Sequence, residues 1–143
     1  MSTRSNIAYI NEKGIVRSVY CHFDGYLEGV GKTLLTHYNS FDLAKKLVEP
    51  GDISHVEPSC DKPEGHTFDT PVEGYTVYYG RDRGEPNSDP LSSEEYLVGG
   101  RLHYTGLKEF ITYLFKDGRW LVRLGKYPAE FVDLKQALED AAH

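Results

Sequence analysis

The sequence predicts a single α+β domain, with a mainly antiparallel sheet built from hairpins and helices packed on one face, in the order ββα–loop–β–loop–ββα. Three observations predict it. Asn11-Glu12-Lys13-Gly14 separates two strand-like stretches, Asp117-Gly118 separates two more, and helical periodicity takes over after each pair, near Val30 and at Asp133. A chain of 143 residues suits one domain with a self-sufficient core.

The first pair runs from Asn6 to Phe23. Asn6 to Ile10 is short and strand-like, and Gly14 can supply a positive φ in the turn. Ile15 to Phe23 then alternates, with Ile15, Val19, Cys21 and Phe23 on one face and Val16, Ser18, Tyr20 and His22 on the other. Arg17 interrupts the apolar side. From Val30 the period changes: Val30, Leu34, Leu35 and Tyr38 recur at helical spacing. After Asn39-Ser40 so do Leu43, Ala44, Leu47 and Val48, until Pro50-Gly51 ends the run.

Residues 49–74 hold four prolines and three glycines without a sustained period, and they read as a long loop of the kind that often carries function. Tyr75 to Tyr79 resumes strand character, and residues 80–92 read as a second polar loop. Ser92-Ser93-Glu94-Glu95 reads as a capping box opening a short helix that Gly99-Gly100 stops. Phe110 to Lys116 and Arg119 to Leu124 form the Asp-Gly hairpin. Asp133 then caps a last helix carrying Leu134, Ala137, Leu138 and Ala141.

Charge and cysteine usage narrow the function classes. With Lys and Arg at 16 against Asp and Glu at 22, the net charge is -6, which repels a phosphate backbone and argues against nucleic acid as a partner. No apolar run approaches the ~20 residues a membrane helix needs, and MSTRSNIAYI lacks the apolar core of a secretion signal. Two cysteines in unlike contexts, Cys21 and Cys60, make no disulfide framework, so the expected location is the reducing cytoplasm.

The tract YCHFDGYLEGVGKTLL, residues 20–35, raises a phosphate-binding loop and sets it aside. A Walker loop needs Gly, four residues, then Gly-Lys-Ser/Thr; here Tyr26 stands where the first glycine belongs and Gly25 comes one place too early. The plain reading is that Gly29 and Gly31 permit a tight turn into the helix, whose free N–H groups can still receive an anion. Lys32, a cation in a first turn that favours acids, points the same way. His22 and Asp24 at i and i+2 would share one side of a continuing strand, so an Asp-oriented imidazole is the candidate catalytic pair. Adjacent Cys21 and His22 face opposite ways and make no nucleophile pair, and the spacings of His37, His55, His66 and Cys60 match no zinc pattern, so neither metal nor cofactor is expected.

Two further clusters point to anions. Arg4, between the hydroxyl residues Thr3 and Ser5, leads straight into the first strand. Gly80-Arg81-Asp82-Arg83-Gly84-Glu85 follows the aromatic run YTVYY; either an acid there pairs with an arginine and fixes the loop, or the guanidinium groups take a phosphate or carboxylate.

The combination of STRSNI, YCHFDGY, GVGKTLLTHY, GRDRGE and YLFKDGRW resembles a family of small, mostly uncharacterised proteins of tailed phages and prophages. Its members open with STRSNI and carry a YCH(W/F)DGY tract followed by GVGK and a leucine-rich helix. The likeness is best over residues 2–38 and returns near 75–85 and 113–122, with Phe23 standing where tryptophan and Leu27 where proline is expected. The resemblance implies a setting, the host cytoplasm during infection, where some small phage proteins counter host defence by sequestering nucleotide-derived signals, usually as oligomers. The leading expectation is therefore a non-enzymatic protein that captures a phosphorylated or nucleotide-like small molecule. Arg4, Lys32, Arg81 and Arg83 would supply charge, Thr3 and Ser5 hydroxyls, Gly29 and Gly31 backbone N–H groups, and Tyr20, Tyr26 and Tyr79 stacking faces. The alternatives are an inhibitor that docks its acidic surface and the 49–74 segment onto a host enzyme, and a small hydrolase using His22 and Asp24.

Overall fold

The first hairpin is β1 (Ser5–Ile10) and β2 (Val16–Cys21), paired from Ser5↔Cys21 to Ile10↔Val16, with Gly14 at φ 82° in the turn. A computed structural model describes residues 3–84, 91–93, 97–98, 101–102, 111–123 and 131–141. A π-helical turn, Leu27–Gly31, leads into α1 (Lys32–His37), and α2 (Phe41–Val48) follows. Then come β3 (Ile53–His55), β4 (Val77–Tyr78), α3 (Tyr79–Arg83), β5 (Leu91–Ser93), β6 (Leu97–Val98) and β7 (Arg101–Leu102). The chain ends with β8 (Ile111–Lys116), β9 (Arg119–Arg123), β10 (Val132–Asp133) and α4 (Leu134–Ala141).

The main sheet runs β10-β9-β8-β1-β2-β3-β4, with β5 on β2. It is α+β and mainly antiparallel, yet mixed: β1 pairs parallel with β8, and β2 with β3. Ile7, Tyr9, Val19, Cys21, Tyr113, Phe115, Trp120 and Val122 turn one face onto Val30, Leu34 and Tyr38, and onto Ala44, Leu47, Val48 and Leu134 of the helices, forming the core. Trp120 Nε1 donates to the Tyr38 carbonyl at 3.0 Å, tying α1 to β9. Arg17 sits on this apolar face because it stands opposite Tyr9 at the rim, where both bind Glu49 at 2.6 Å. On the opposite face Ala8, Val16 and Leu114 pack with Ile10 and Phe131, beside buried Asn6, Ser18, Thr112 and Arg123. No helix among the described residues is long and apolar enough to cross a membrane.

Ser40, in extended conformation between the two helices, accepts the Leu43 N–H at 3.2 Å. Ser40→Ala is expected to cost about 1 kcal/mol in a denaturant melt, the usual worth of such a cap.

Three local expectations need correction. Part of the 49–74 loop is strand: Ile53 pairs with Cys21 and Tyr78, which gives β2 and β4 a partner between them. The strand expected over Tyr75 to Tyr79 is only β4, because Asp82 Oδ2 takes the Tyr78 N–H at 2.8 Å and bends the chain into α3, where an irregular loop had been expected; Gly84 ends it at φ 79°. The capping box at Ser92-Ser93 opens no helix, since those residues pair with Val16 and Arg17. β3 reaches only Cys21 on β2, so the backbone from Val16 to Ser18 is left to pair with β5, and ladder bonds outweigh a local capping preference. Beyond it, where the helix was expected, Leu97–Val98 pairs with Arg101–Leu102. Glu94, Glu95, Gly99 and Gly100 of that expected helix lie outside the described residues, as do Phe110 and Leu124 of the second hairpin.

Candidate functional site

Asp52 holds the two halves of the site together. Its carboxylate accepts the Tyr20 N–H at 3.0 Å, and its carbonyl accepts the Tyr79 N–H at 3.1 Å. Tyr20 and Tyr79 are both half-buried. The Tyr20 hydroxyl hydrogen-bonds His22 Nδ1, and the His22 ring meets Phe23 edge-on at 4.4 Å. Burial pushes the Tyr20 phenol upward; the Arg4 charge partly offsets this, while Tyr79 and Asp52 add to it. Arg4 and Tyr79 therefore both lie within electrostatic reach of the Tyr20 side chain.

Against Tyr79 stands Phe68, with ring centroids 5.6 Å apart and planes inclined at 35°. The Phe68 N–H donates to the Asp82 carbonyl at 2.8 Å, fixing it beside α3. The Arg83 guanidinium covers both rings, 4.6 Å from the Phe68 centroid and 5.1 Å from that of Tyr79. Phe68, Tyr79 and Arg83 thus make one stack, Asp52 links its backbone to that of Tyr20, which bonds His22, and Arg4 lies within electrostatic reach; together they outline a strip at the β2–β4 end of the sheet.

A buried knot supports this strip. Asp82 accepts Arg81 Nε at 2.8 Å, Arg81 Nη2 at 3.1 Å and the Tyr78 N–H at 2.8 Å, with His66 Nε2 at 3.3 Å. Arg81 also donates from Nη1 to the Cys60 carbonyl at 2.8 Å and from Nη2 to the Thr76 carbonyl at 3.3 Å. His66 Nδ1 accepts the Val72 N–H at 2.9 Å, which assigns the ring proton to Nε2, facing Asp82 and the Thr76 carbonyl. Arg81 is thereby committed to the fold: of the two roles open to the Arg-Asp-Arg stretch, Arg81 takes the internal one and Arg83 remains at the surface.

The other predicted residues lie elsewhere. Ser5 is fully buried, with Gly25 packed against its side chain and Cys21 opposite it, so its hydroxyl does not accompany Arg4. The Thr3 carbonyl accepts the Gly25 N–H at 2.8 Å. The Gly29 N–H is spent on the Tyr26 carbonyl at 3.0 Å, and Gly31 is buried against Leu134 and Tyr113. Tyr26 is exposed, and Lys32 lines a separate cleft with Glu28, Leu138 and Glu139. His22 and Asp24 do not form the expected pair: β2 ends at Cys21 and Asp24 turns the chain at φ 58°, while the imidazole bonds Tyr20. The Cys21 thiol is buried, which pushes it up to about 12. Among the described residues no group of three or more His, Cys, Asp or Glu side chains could hold a metal ion.

Phe68, Asp52 and His66 were not singled out as site residues from the sequence. All three fall in the aperiodic 49–74 stretch, where length and proline content were the only signal. Comparison of the chain with protein-family models, curated proteins and solved structures returns no match in any of the three.

Proposed function

We propose that the protein binds and holds a phosphorylated, nucleotide-like small molecule along the strip from Arg4 to Arg83, without turning it over. The observation that carries this reading is the Arg83 guanidinium lying over the Phe68 and Tyr79 rings, with Tyr20 tied to Tyr79 through Asp52. Aromatic faces take a heterocycle by stacking, worth about 1–3 kcal/mol per base in single-strand binders. Guanidinium groups present forks that match phosphate oxygens. Hydrolysis has less support, because the Cys21 thiol is buried and protonated and His22 and Asp24 are separated by the turn. The proposed setting is the one the STRSNI resemblance implies: a phage-type accessory protein that sequesters a nucleotide-derived signal of host defence.

Native mass spectrometry of the purified protein, followed by titration with nucleoside 5′-monophosphates, tests the reading. Arg83→Ala is expected to weaken binding by roughly tenfold or more. Because Arg83 is exposed, the melting temperature should stay within about 2 °C. Unchanged affinity in this variant would move the site away from the strip.

A further inference from the structure

We propose that the cleft where the β1–β2 and β8–β9 turns meet the α1–α2 junction is a second binding site, one that takes a small organic ammonium with an apolar body. It encloses about 600 Å³ and is lined by Ile10, Glu12, Asn39, Phe41, Phe115 and Asp117, among others. That volume falls in the ordinary range for small-molecule sites, roughly 300–1,000 Å³. The cleft lies apart from the strip. Arg4 precedes β1 and Glu12 follows it, so the six residues of that strand separate the two, a rise of about 20 Å.

The register of the sheet assembles the cleft. β1 and β8 run parallel with Tyr9 opposite Phe115, so both strands deliver their turns to the same edge, Asn11 to Gly14 from the first hairpin and Asp117-Gly118 from the second. Phe41, the first residue of α2, meets the Tyr9 ring edge-on at 5.7 Å, which brings the α1–α2 junction over the same strand ends. Phe115 is buried and packs edge-on against Trp120 at 5.3 Å, so it is a fixed apolar wall, while Phe41 is exposed.

The polar groups decide the charge of the ligand. Asn11 Oδ1 is spent on the Lys13 and Ile15 N–H groups at 2.9 and 3.0 Å, and Ser40 Oγ on the Leu43 N–H. Among the described residues, no hydrogen bond or ion pair engages the side chains of Glu12, Asn39 or Asp117, and no basic residue lines the cleft. Lys116, beside Asp117, alternates to the opposite face of β8 from Phe115. Two carboxylates from different turns and one amide carbonyl match the three N–H donors of a primary ammonium. The field of a chain of net charge -6 draws a cation inward, and the exposed Phe41 ring adds a cation–π surface. The same charges repel a phosphate, which separates the ligand of this cleft from that of the strip.

An NMR titration of the isotope-labelled protein at low salt tests the site with probes of one shape: phenethylammonium, neutral phenethyl alcohol and anionic phenylacetate. The ammonium should shift the amides of Glu12, Phe41 and Gly118 and bind roughly tenfold or more tighter than the alcohol, with phenylacetate weakest. Glu12→Gln combined with Asp117→Asn should erase that gap and leave the alcohol within about twofold; Asn-Gly is itself a favoured two-residue turn, so the hairpin is kept. Phe41→Ala should weaken the ammonium and the alcohol alike, by roughly threefold or more. A gap that survives in the double variant, equal binding of the three probes, or no binding of the ammonium overturns the proposal. So do amide shifts confined to residues outside the cleft. Nucleoside monophosphate binding should be unchanged in the double variant, so failure here leaves the capture reading standing.

Discussion

Asp82→Asn is expected to destabilise the protein by about 3 kcal/mol and to lower its melting temperature by roughly 10 °C. The carboxylate is fully shielded from solvent and accepts from Arg81 and from the Tyr78 N–H. An amide in its place keeps the shape but leaves the Arg81 guanidinium without its counter-charge, and it turns an amino group toward other donors. The loss should be largest at neutral pH. Burial on its own pushes the Asp82 carboxyl up; the Arg81 hydrogen bonds, the Tyr78 N–H and the charge of Arg81 outweigh it and hold the group below the usual carboxylate range. A carboxyl whose folded pKa lies below its unfolded value of about 3.9 stabilises the fold above that pH, and the contribution disappears as pH falls through the folded pKa. Urea melts of both proteins at pH 7, 4 and 3 should therefore converge in acid. A difference under about 1 kcal/mol at pH 7, or one that persists unchanged at pH 3, would remove Asp82 from the centre of this cluster.

The same cluster explains why two arginines that look alike in the sequence have unlike roles. Residues two apart on a helical turn lie about 200° apart around its axis. Arg81 therefore turns inward to Asp82 while Arg83 lies outward over Phe68 and Tyr79. Nothing in Gly80-Arg81-Asp82-Arg83-Gly84 says which will be which until Tyr78 is pinned by its N–H to Asp82.

What was legible followed the range of the interactions involved. Asp117 at φ 53° and Gly118 at φ 81° realise a turn that the dipeptide itself specifies, and Asp133 Oδ2 caps α4 by accepting the Gln136 N–H three residues on at 3.0 Å. Pairings between distant segments left no such local mark. The parallel ladder from Ser5↔Ile111 to Tyr9↔Phe115 joins the start of the chain to its last third, and Ile53 becomes a strand residue only because Cys21 and Tyr78 flank it. At the proposed site, Arg4, Tyr20, Tyr79 and Arg83 could be singled out from the sequence as chemistry at the ends of strands. Phe68 was not, because its position depends on how a proline-rich stretch folds back onto α3.

The glycines of the 25–31 tract provide the second large effect, and one that separates packing from phosphate binding. Gly29→Ala is expected to destabilise the fold by about 3 kcal/mol, at the upper end of what overpacking costs. A Cβ at Gly29 would stand 2.3 Å from the Asp24 carbonyl oxygen, a backbone atom that already accepts the Val30 N–H at 2.8 Å. Asp24 itself is at φ 58°, a left-handed conformation with little room to adjust. The atoms nearest a Cβ at Gly31 belong to side chains, Leu134 Cδ1 and the Tyr113 ring and hydroxyl, each at 3.3 Å. Small shifts of these groups should nearly be offset by the helix-propensity gain of alanine, about 1 kcal/mol, so that variant should melt within about 1 kcal/mol of the wild type. A phosphate cradle makes the opposite forecast: both variants would fold normally and both would lose an anion. Denaturant melts of the two variants, read beside nucleoside monophosphate binding, decide between them. Equal stability with joint loss of binding would return the tract to the ligand; a large loss at Gly29 with little at Gly31 identifies the glycines as the means by which the chain closes onto Thr3, Asp24 and Tyr113.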